Sequence, residues 1–292
     1  MVNYPKSVKI VEVGPRDGLQ NEKEIIATED KIRFINLLSE SGLPVIETGS
    51  FVHPQWVPQL ADAAEVYQKI NKRPGVSYPM LVPNQKGLDR ALAIGVKEIA
   101  VFTAASESFN KKNINMSIAE SLAIIRQLIR RALPKGVPVR GYVSTCFVCP
   151  YEGKISPEKV TPVVEKLFDL GVEEVSIGDT IGAAIPEDVE ELMGRLFKKS
   201  PREKLAVHFH DTQGRALVNI LRALELGIGI VDSSAGGLGG CPYAPGASGN
   251  VATENVLHKL HDMGIKTGVD LEKVAEASRF MEALLKRPLP IH

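Results

Sequence analysis

The chain has 292 residues, 44% of them hydrophobic, enough to bury a large core in one big α/β domain or two ordinary ones. Its 35 basic and 35 acidic residues cancel, so no global field draws it to nucleic acid or to an anionic membrane, and the longest apolar runs are too short to span a bilayer. Only Cys146, Cys149 and Cys241 carry thiols, an odd and small set that argues against a disulfide scaffold and for a reducing compartment. Met1 leads almost directly into a strand-like run with no signal or transit segment, so the expected location is the cytoplasm.

Apolar, β-branched runs alternate with amphipathic stretches along the whole chain. Strands are expected over 8–13, 45–48, 76–82, 98–103, 139–145, 174–178, 205–210 and 229–234. Helices are expected over 29–41, 61–71, 85–93, 118–132, 157–170, 186–198, 215–226 and 252–263. Gly42, Gly95, Gly171 and Gly227 end several of these helices, as residues tolerant of the left-handed conformation do. Strand and helix alternating eight times is the pattern of an α/β fold of the (β/α)₈ TIM barrel type, here with an additional C-terminal helix over 271–285. No shift in composition marks a linker, so residues 1–292 are read as a single barrel domain. An open doubly wound sheet is the competing architecture, but no Gly-x-Gly-x-x-Gly follows the first strand.

In such a barrel the chemistry sits at the carboxyl ends of the strands. Those ends carry Arg16 and Asp17, Glu47, Asp179, His208 and His210, and a glycine-rich run that holds Cys241 and leads to Asn250. The period of a strand puts His208 and His210 on one face, where two imidazoles can bind one metal ion or serve as plain hydrogen-bonding groups. Hard oxygen ligands beside them would suit Mg²⁺ or Mn²⁺, whereas thiolates would suggest structural zinc. Arg16 and Asp17 read either as a surface ion pair or, between Gly14, Pro15 and Gly18, as groups held on a tight turn. Glu47 ends an apolar strand, where a carboxylate is costly unless paired or useful. Asn250 either caps the helix it opens or turns an amide oxygen inward. Cys146 and Cys149 form one Cys-x-x-Cys without a second pair and read as structural thiols. Cys241 differs, since its flexible loop can carry a thiol over the barrel mouth for acid/base work. Lys111 and Asn113, after the fourth strand, read as a solvated basic loop that can also meet ligand phosphates.

Together these residues resemble the 3-hydroxy-3-methylglutaryl-CoA lyase family, part of a metal-dependent group shared with isopropylmalate and homocitrate synthases. The run 11–22, Val-Glu-Val-Gly-Pro-Arg-Asp-Gly-Leu-Gln-Asn-Glu, resembles the family's first motif. Glu47 followed by Ser50-Phe51-Val52, then Trp56-Val57-Pro58-Gln59, continues the likeness. Most specific is Gly-Gly-Leu-Gly-Gly-Cys-Pro-Tyr-Ala at 236–244 with Gly-Ala-Ser-Gly-Asn at 246–250, and the likeness spans essentially the whole chain. The resemblance implies cleavage of 3-hydroxy-3-methylglutaryl-CoA to acetyl-CoA and acetoacetate, in leucine degradation and ketone-body-type metabolism. It implies a divalent metal, Mg²⁺ or Mn²⁺, held by Asp17, His208, His210 and Asn250.

By the same resemblance Arg16 would polarise the thioester carbonyl, Glu47 and Cys241 would contribute to catalysis, and Asp179 would support them. The group taking the hydroxyl proton stays open among His208, Asp17 and a metal-bound water. Lys111 and Asn113 would meet the CoA moiety of an acyl-CoA substrate in a homodimer with no nucleic-acid or membrane partner. Gly49 departs from the family pattern, which has a hydroxyl residue there, and a looser substrate pocket is expected from it. A condensing synthase of the same group and a catalytically silent barrel are the two rival readings.

Overall fold

The structure, a computed structural model, describes residues 4–241 and 244–291, with the backbone alone for 240–241 and 244–248. Its strands are β1 (Lys9–Glu12), β2 (Val45–Ile46), β3 (Gly49–Ser50), β4 (Met80–Leu81), β5 (Ile99–Ala104) and β6 (Val139–Ser144), then β7 (Val148–Cys149) and β8 (Gly153–Lys154). After these come β9 (Glu174–Asp179), β10 (Leu205–Phe209), β11 (Ile230–Ser233), β12 (Gly240–Cys241) and β13 (Ala244–Ser248). Two antiparallel pairs, β7 with β8 and β12 with β13, stand apart from the main sheet. The other strands form one parallel sheet in the order β2-β1-β11-β10-β9-β6-β5-β4-β3. Its two edges, β2 and β3, are separated only by Glu47 and Thr48, whose N–H groups bond outward to both neighbours: Glu47 N donates to Glu12 O (2.8 Å) and Thr48 N to Pro79 O (3.0 Å). Residues 45–50 are therefore one strand that closes the sheet, and the result is an eight-stranded barrel.

Helices α1 (Thr28–Ser39), α2 (Ala63–Lys69), α3 (Gln85–Ala93), α4 (Glu107–Ile114), α5 (Ile118–Ala132) and α6 (Pro157–Leu170) cover the first part of the barrel. The remainder is covered by α7 (Pro186–Leu196), α8 (Ala216–Glu225), α9 (Thr253–Asp262) and the additional C-terminal α10 (Leu271–Leu285), which packs on α1 and α9. Successive side chains of a strand point to opposite faces. Ile10, Val207, Phe209 and Val231 accordingly join the apolar core under the helices, while Val11, Ala206 and Ile230 form a separate small cluster inside the barrel. Arg140, Ser176, His208 and Asp232, all buried, share the inward register, so the barrel axis is polar.

Two expectations are corrected. The strand expected over 76–82 shrinks to β4, because Pro79 before it and Pro83 after it have no N–H to give a ladder. The basic loop expected around Lys111 is α4, capped by Ser106, whose hydroxyl accepts from Phe109 N (3.1 Å), and closed by Asn115 at φ 55°. Its polar residues lack the apolar period that marks a covering helix.

At the carboxyl end of β1, Glu12 ties three segments together. Its Oε1 accepts from Gly14 N (2.7 Å) and Ala235 N (2.9 Å), and its Oε2 accepts from the Thr253 hydroxyl (2.7 Å). Burial pushes this carboxyl from its ordinary 4.5 up to about 7, against the lowering effect of those bonds. A folded pKa above the unfolded one contributes stability that is complete below about pH 4.5 and lost as pH rises through 7. Glu12→Gln cannot ionise, so between about pH 5 and 8 the wild type should lose up to about 3 kcal/mol more stability than the variant in urea unfolding. Parallel pH profiles for the two proteins would contradict this.

Candidate active site

Arg16 and Asp17 lie on a single π-helical turn, Gly14–Gly18, that follows β1. The Val13 carbonyl accepts from the N–H groups of Arg16 (3.1 Å), Asp17 (2.7 Å) and Gly18 (3.2 Å), which winds both side chains over the barrel mouth. The loop after β11 presses directly on this turn. A Cβ at Gly18 would stand 2.9 Å from Leu238 Cβ, and one at Gly239, where φ is +108°, would stand 2.7 Å from Asn250 Nδ2. Only glycine allows that approach.

The Arg16 guanidinium is clamped. Its Nε and Nη2 donate to the two oxygens of Glu47 (2.9 and 3.2 Å), and its Nη1 donates to Asp17 Oδ1 (2.5 Å). Tyr142 on β6 donates its hydroxyl to Glu47 Oε2 (2.5 Å) and turns its ring to the guanidinium, 5.2 Å from Arg16 Cζ. Burial by itself would lower the Arg16 pKa, but Glu47 and Asp17 raise it further, so the group stays charged.

Asp17, His208 and His210 each offer one ligand atom, all within 4.8 Å of one another. The histidines share a face of β10 and its extension, as their spacing predicts. His208 Nε2 lies 3.9 Å from Asp17 Oδ2. Asn250 is held beside them by a backbone bridge to His210 and by the bond from Asp211 N to Gly249 O (2.7 Å). Its side chain enters the group as a donor, with Nδ2 bonded to Asp17 Oδ2 (3.0 Å) and to Leu238 O (3.1 Å). Burial works against an ionised Asp17, yet Arg16 and the two imidazoles hold its carboxyl down at about 2. Burial, reinforced by His208, lowers His210 to about 4. At neutral pH the carboxylate is ionised and the His210 ring neutral, so protons do not block their lone pairs. The Nδ1 atoms of both histidines are buried without a hydrogen-bond partner among the described residues. One carboxylate, two imidazoles and an adjacent amide fit a divalent cation that prefers oxygen and nitrogen donors.

The other expected residues fall elsewhere. Asp179 bonds its own loop, accepting from Ala183 N (3.1 Å) and Ala184 N (3.0 Å), and burial raises its carboxyl to about 6. Its backbone carbonyl meets the cluster of Asp17, His208 and His210 by accepting from His210 N (3.3 Å). Lys111 and Asn113 are exposed on α4, and Lys111 lines an open groove of about 600 Å³ with Glu107, Ser108, Lys112, Ser117 and Glu120. The side chain of Cys241 lies outside the described residues. Cys146 and Cys149 are buried free thiols, and burial pushes the Cys146 thiol up, away from reactivity. Gly49 does not loosen the substrate pocket as expected: a Cβ there would point at α2, 3.0 Å from Ala63 Cβ.

Tyr142, Arg140, Ser176 and Asp232 are the residues of this site that sequence reasoning missed. Arg140 and Tyr142 alternate along β6, and Asp232 interrupts an apolar strand as Glu47 does, which was the signal available.

The HMGL-like family model matches residues 7–281. The cytoplasmic 3-hydroxy-3-methylglutaryl-CoA lyase of Rattus norvegicus is 58% identical over 277 residues, 95% of this chain and 81% of the rat protein. The crystal structure of the HMG-CoA lyase of Bacillus subtilis superposes with a TM-score of 0.98 at 52% identity, covering 99% of this chain and 97% of that one. An HMG-CoA lyase from Acinetobacter baumannii, solved in complex with coenzyme A and 3-methylmalate, gives 0.94 at 38% identity over 100% of this chain and 95% of that one. A barrel of this topology, a carboxylate and two imidazoles converging at its mouth, and likeness along nearly the full length lead to one conclusion: the chain belongs to the HMGL-like family.

Proposed function

We propose that this protein is a hydroxymethylglutaryl-CoA lyase that cleaves 3-hydroxy-3-methylglutaryl-CoA to acetyl-CoA and acetoacetate. The observation that carries the reading is the Arg16 guanidinium, clamped by Glu47 and Asp17, directly beside the group of partly buried Asp17 and buried His208 and His210. The names of the relatives support the substrate, and the coenzyme A in the Acinetobacter baumannii complex supports an acyl-CoA. The divalent cation we assign here is Mg²⁺ or Mn²⁺, with Asp17, His208 and His210 as ligands and Asn250 beside them, whose amide turns over to offer its oxygen in place of the Nδ2 that now bonds Asp17. When bound, such a cation polarises substrate oxygens and makes a hydroxyl easier to deprotonate.

The chain's own residues carry the remaining work. Asp17, held at about 2, is a poor proton acceptor, and a His208 ring that holds the cation through one nitrogen and carries a proton on the other has no lone pair to spare, so water at the barrel mouth takes the tertiary hydroxyl proton. As the hydroxyl oxygen becomes the ketone of acetoacetate, the neighbouring C–C bond breaks and its electrons pass into the acetyl-CoA enolate. Arg16 faces that charge. Glu47 and Asp17 engage three of its five N–H donors, which leaves two for the enolate oxygen. Cys241 then gives a proton to the enolate carbon, completing the methyl group of acetyl-CoA.

Asp179 supports this chemistry by bracing the backbone of His210. Lys111 and Asn113 are assigned to CoA phosphates on charge and polarity. We assign a cytoplasmic homodimer, which light scattering tests, and no helix among the described residues is long and apolar enough to cross a membrane.

A coupled assay of acetoacetate release tests the reaction. Chelator should abolish it, Mg²⁺ or Mn²⁺ should restore it, and Asp17→Ala should weaken ion binding along with turnover. Full turnover in chelator with no bound ion would contradict the metal assignment. Arg16→Gln should lower kcat by about 10² to 10³ at saturating Mn²⁺ while KM changes little, because the guanidinium acts on charge that builds only in the transition state. Arg16→Lys should rescue part of the loss, since a point charge lacks the planar fork. A Gln variant within about tenfold of wild type, or one that lost turnover by losing metal, would remove Arg16 from this role.

A further inference from the structure

Behind His208, on the side of the ring away from Asp17, stands a second buried carboxylate that the chemistry above does not use. Asp232 on β11 is the register partner of His208 on β10, so the sheet itself sets carboxylate and ring side by side. Its Oδ2 lies 3.4 Å from His208 Nδ1, a buried atom with no other hydrogen-bond partner among the described residues. The carboxylate is itself immobilised. Arg140 donates Nη2 to Oδ1 (2.6 Å) and Nη1 to Oδ2 (3.2 Å), and the Ser176 hydroxyl donates to Oδ2 (2.7 Å). Arg140 is held in turn by Glu174, which accepts from its Nε (2.7 Å) and also from Lys9 Nζ (2.5 Å). Burial opposes ionisation of Asp232, but Arg140 above all keeps its pKa well below the usual carboxylate range.

An ionised carboxylate can only accept hydrogen bonds, so the imidazole atom facing it is satisfied only as N–H. Which nitrogen of a histidine carries the proton is set by the bond that the other one leaves open. We propose that Asp232 is a positioning residue that accepts the Nδ1–H of His208, fixes that tautomer, and thereby keeps the Nε2 lone pair turned toward Asp17. The 3.4 Å separation is in keeping with contacts at reactive centres, which are commonly long until ligands tighten them. His210 has no such support, since its Nδ1 has no partner among the described residues. The two imidazoles are therefore not equivalent. His208 is the pre-oriented one, and its orientation passes through Asp232 and Arg140 to the Glu174–Lys9 pair on the same barrel axis.

Metal-ligating histidines oriented in this way lose about 10- to 100-fold in metal affinity when the supporting carboxylate is removed. That consequence rests on the metal reading given under Proposed function; the tautomer does not. The test is histidine-selective ¹⁵N NMR of the metal-free protein, whose six histidines allow the His208 signals to be assigned by their loss in His208→Gln. It is paired with Mn²⁺ titration of wild type, Asp232→Asn and the double variant Arg140→Gln/Asp232→Asn. The double variant removes both buried charges, so it keeps the comparison open where Asp232→Asn alone would strand Arg140.

The wild type should show His208 protonated on Nδ1. Both variants should lose that preference, and their Mn²⁺ dissociation constants should rise about 10- to 100-fold. Protonation of His208 on Nε2 in the wild type would overturn the assignment whether or not any variant folds. So would a folded variant binding Mn²⁺ within about threefold of wild type with the tautomer unchanged. Failure of the wild type to bind Mn²⁺ at all would sink the metal reading alone, and the NMR spectrum would still decide the role of Asp232.

Discussion

A carboxylate taken out of water has to be paired with a cation, satisfied by hydrogen-bond donors, or left protonated, and the interior of this barrel is arranged around that constraint. Asp17 and Glu47 share Arg16, and Asp232 and Glu174 share Arg140. Tyr142 stands between the two guanidiniums, with its ring centre 5.2 Å from Arg16 Cζ and 4.8 Å from Arg140 Cζ, so one aromatic ring meets both charges. Glu12 and Asp179 form no salt bridge among the described residues; backbone N–H groups bond both, the Thr253 hydroxyl adds to Glu12, and burial leaves both with raised pKa values although Arg215 pulls Asp179 down. Removing one member of such a pair strands its partner in a poorly solvated place. The arrangement thus tolerates very few alternative positions for the side chains at the barrel mouth.

That rigidity serves the chemistry. Asp17 can be ionised at neutral pH, although largely desolvated, because Arg16 and two imidazoles surround it. The same contact holds Arg16 beside the ligand group, where a guanidinium can meet charge developing on a substrate oxygen without reorganising. Strands supply the histidines, while the turn after β1 and the loop before α9 supply Asp17 and Asn250. Glycines at 18 and 239 let those two loops touch. Precision comes from the strands, and closeness comes from residues without side chains.

Much of this was legible in the sequence, for identifiable reasons. The helices α3, α5, α6 and α10 carry clear starts and periods, and their limits coincide with those expected. Asp17, His208 and His210 could be placed together because a parallel barrel brings all its strand ends to one face. What the sequence could not disclose is which inward residues meet across the barrel. Period two assigns Arg140, Tyr142 and Asp232 to a face, but only the closed sheet puts Tyr142 against Glu47 and Asp232 against His208. Local signals failed where proline cut the ladder around β4, and where α4 formed from a capped polar segment without an apolar stripe. Asp179 was legible as a strand-end acid but not as a brace for its own loop.

The central claim is that Asp17, His208 and His210 hold the divalent ion on which cleavage depends. The most direct measurement is anomalous diffraction at the manganese edge from crystals of this protein grown with Mn²⁺. The account predicts one strong peak bounded by the Asp17 carboxylate and both imidazoles, with Asn250 alongside. A fully bound ion located elsewhere, or no peak there in crystals of protein that is active with Mn²⁺, would contradict it.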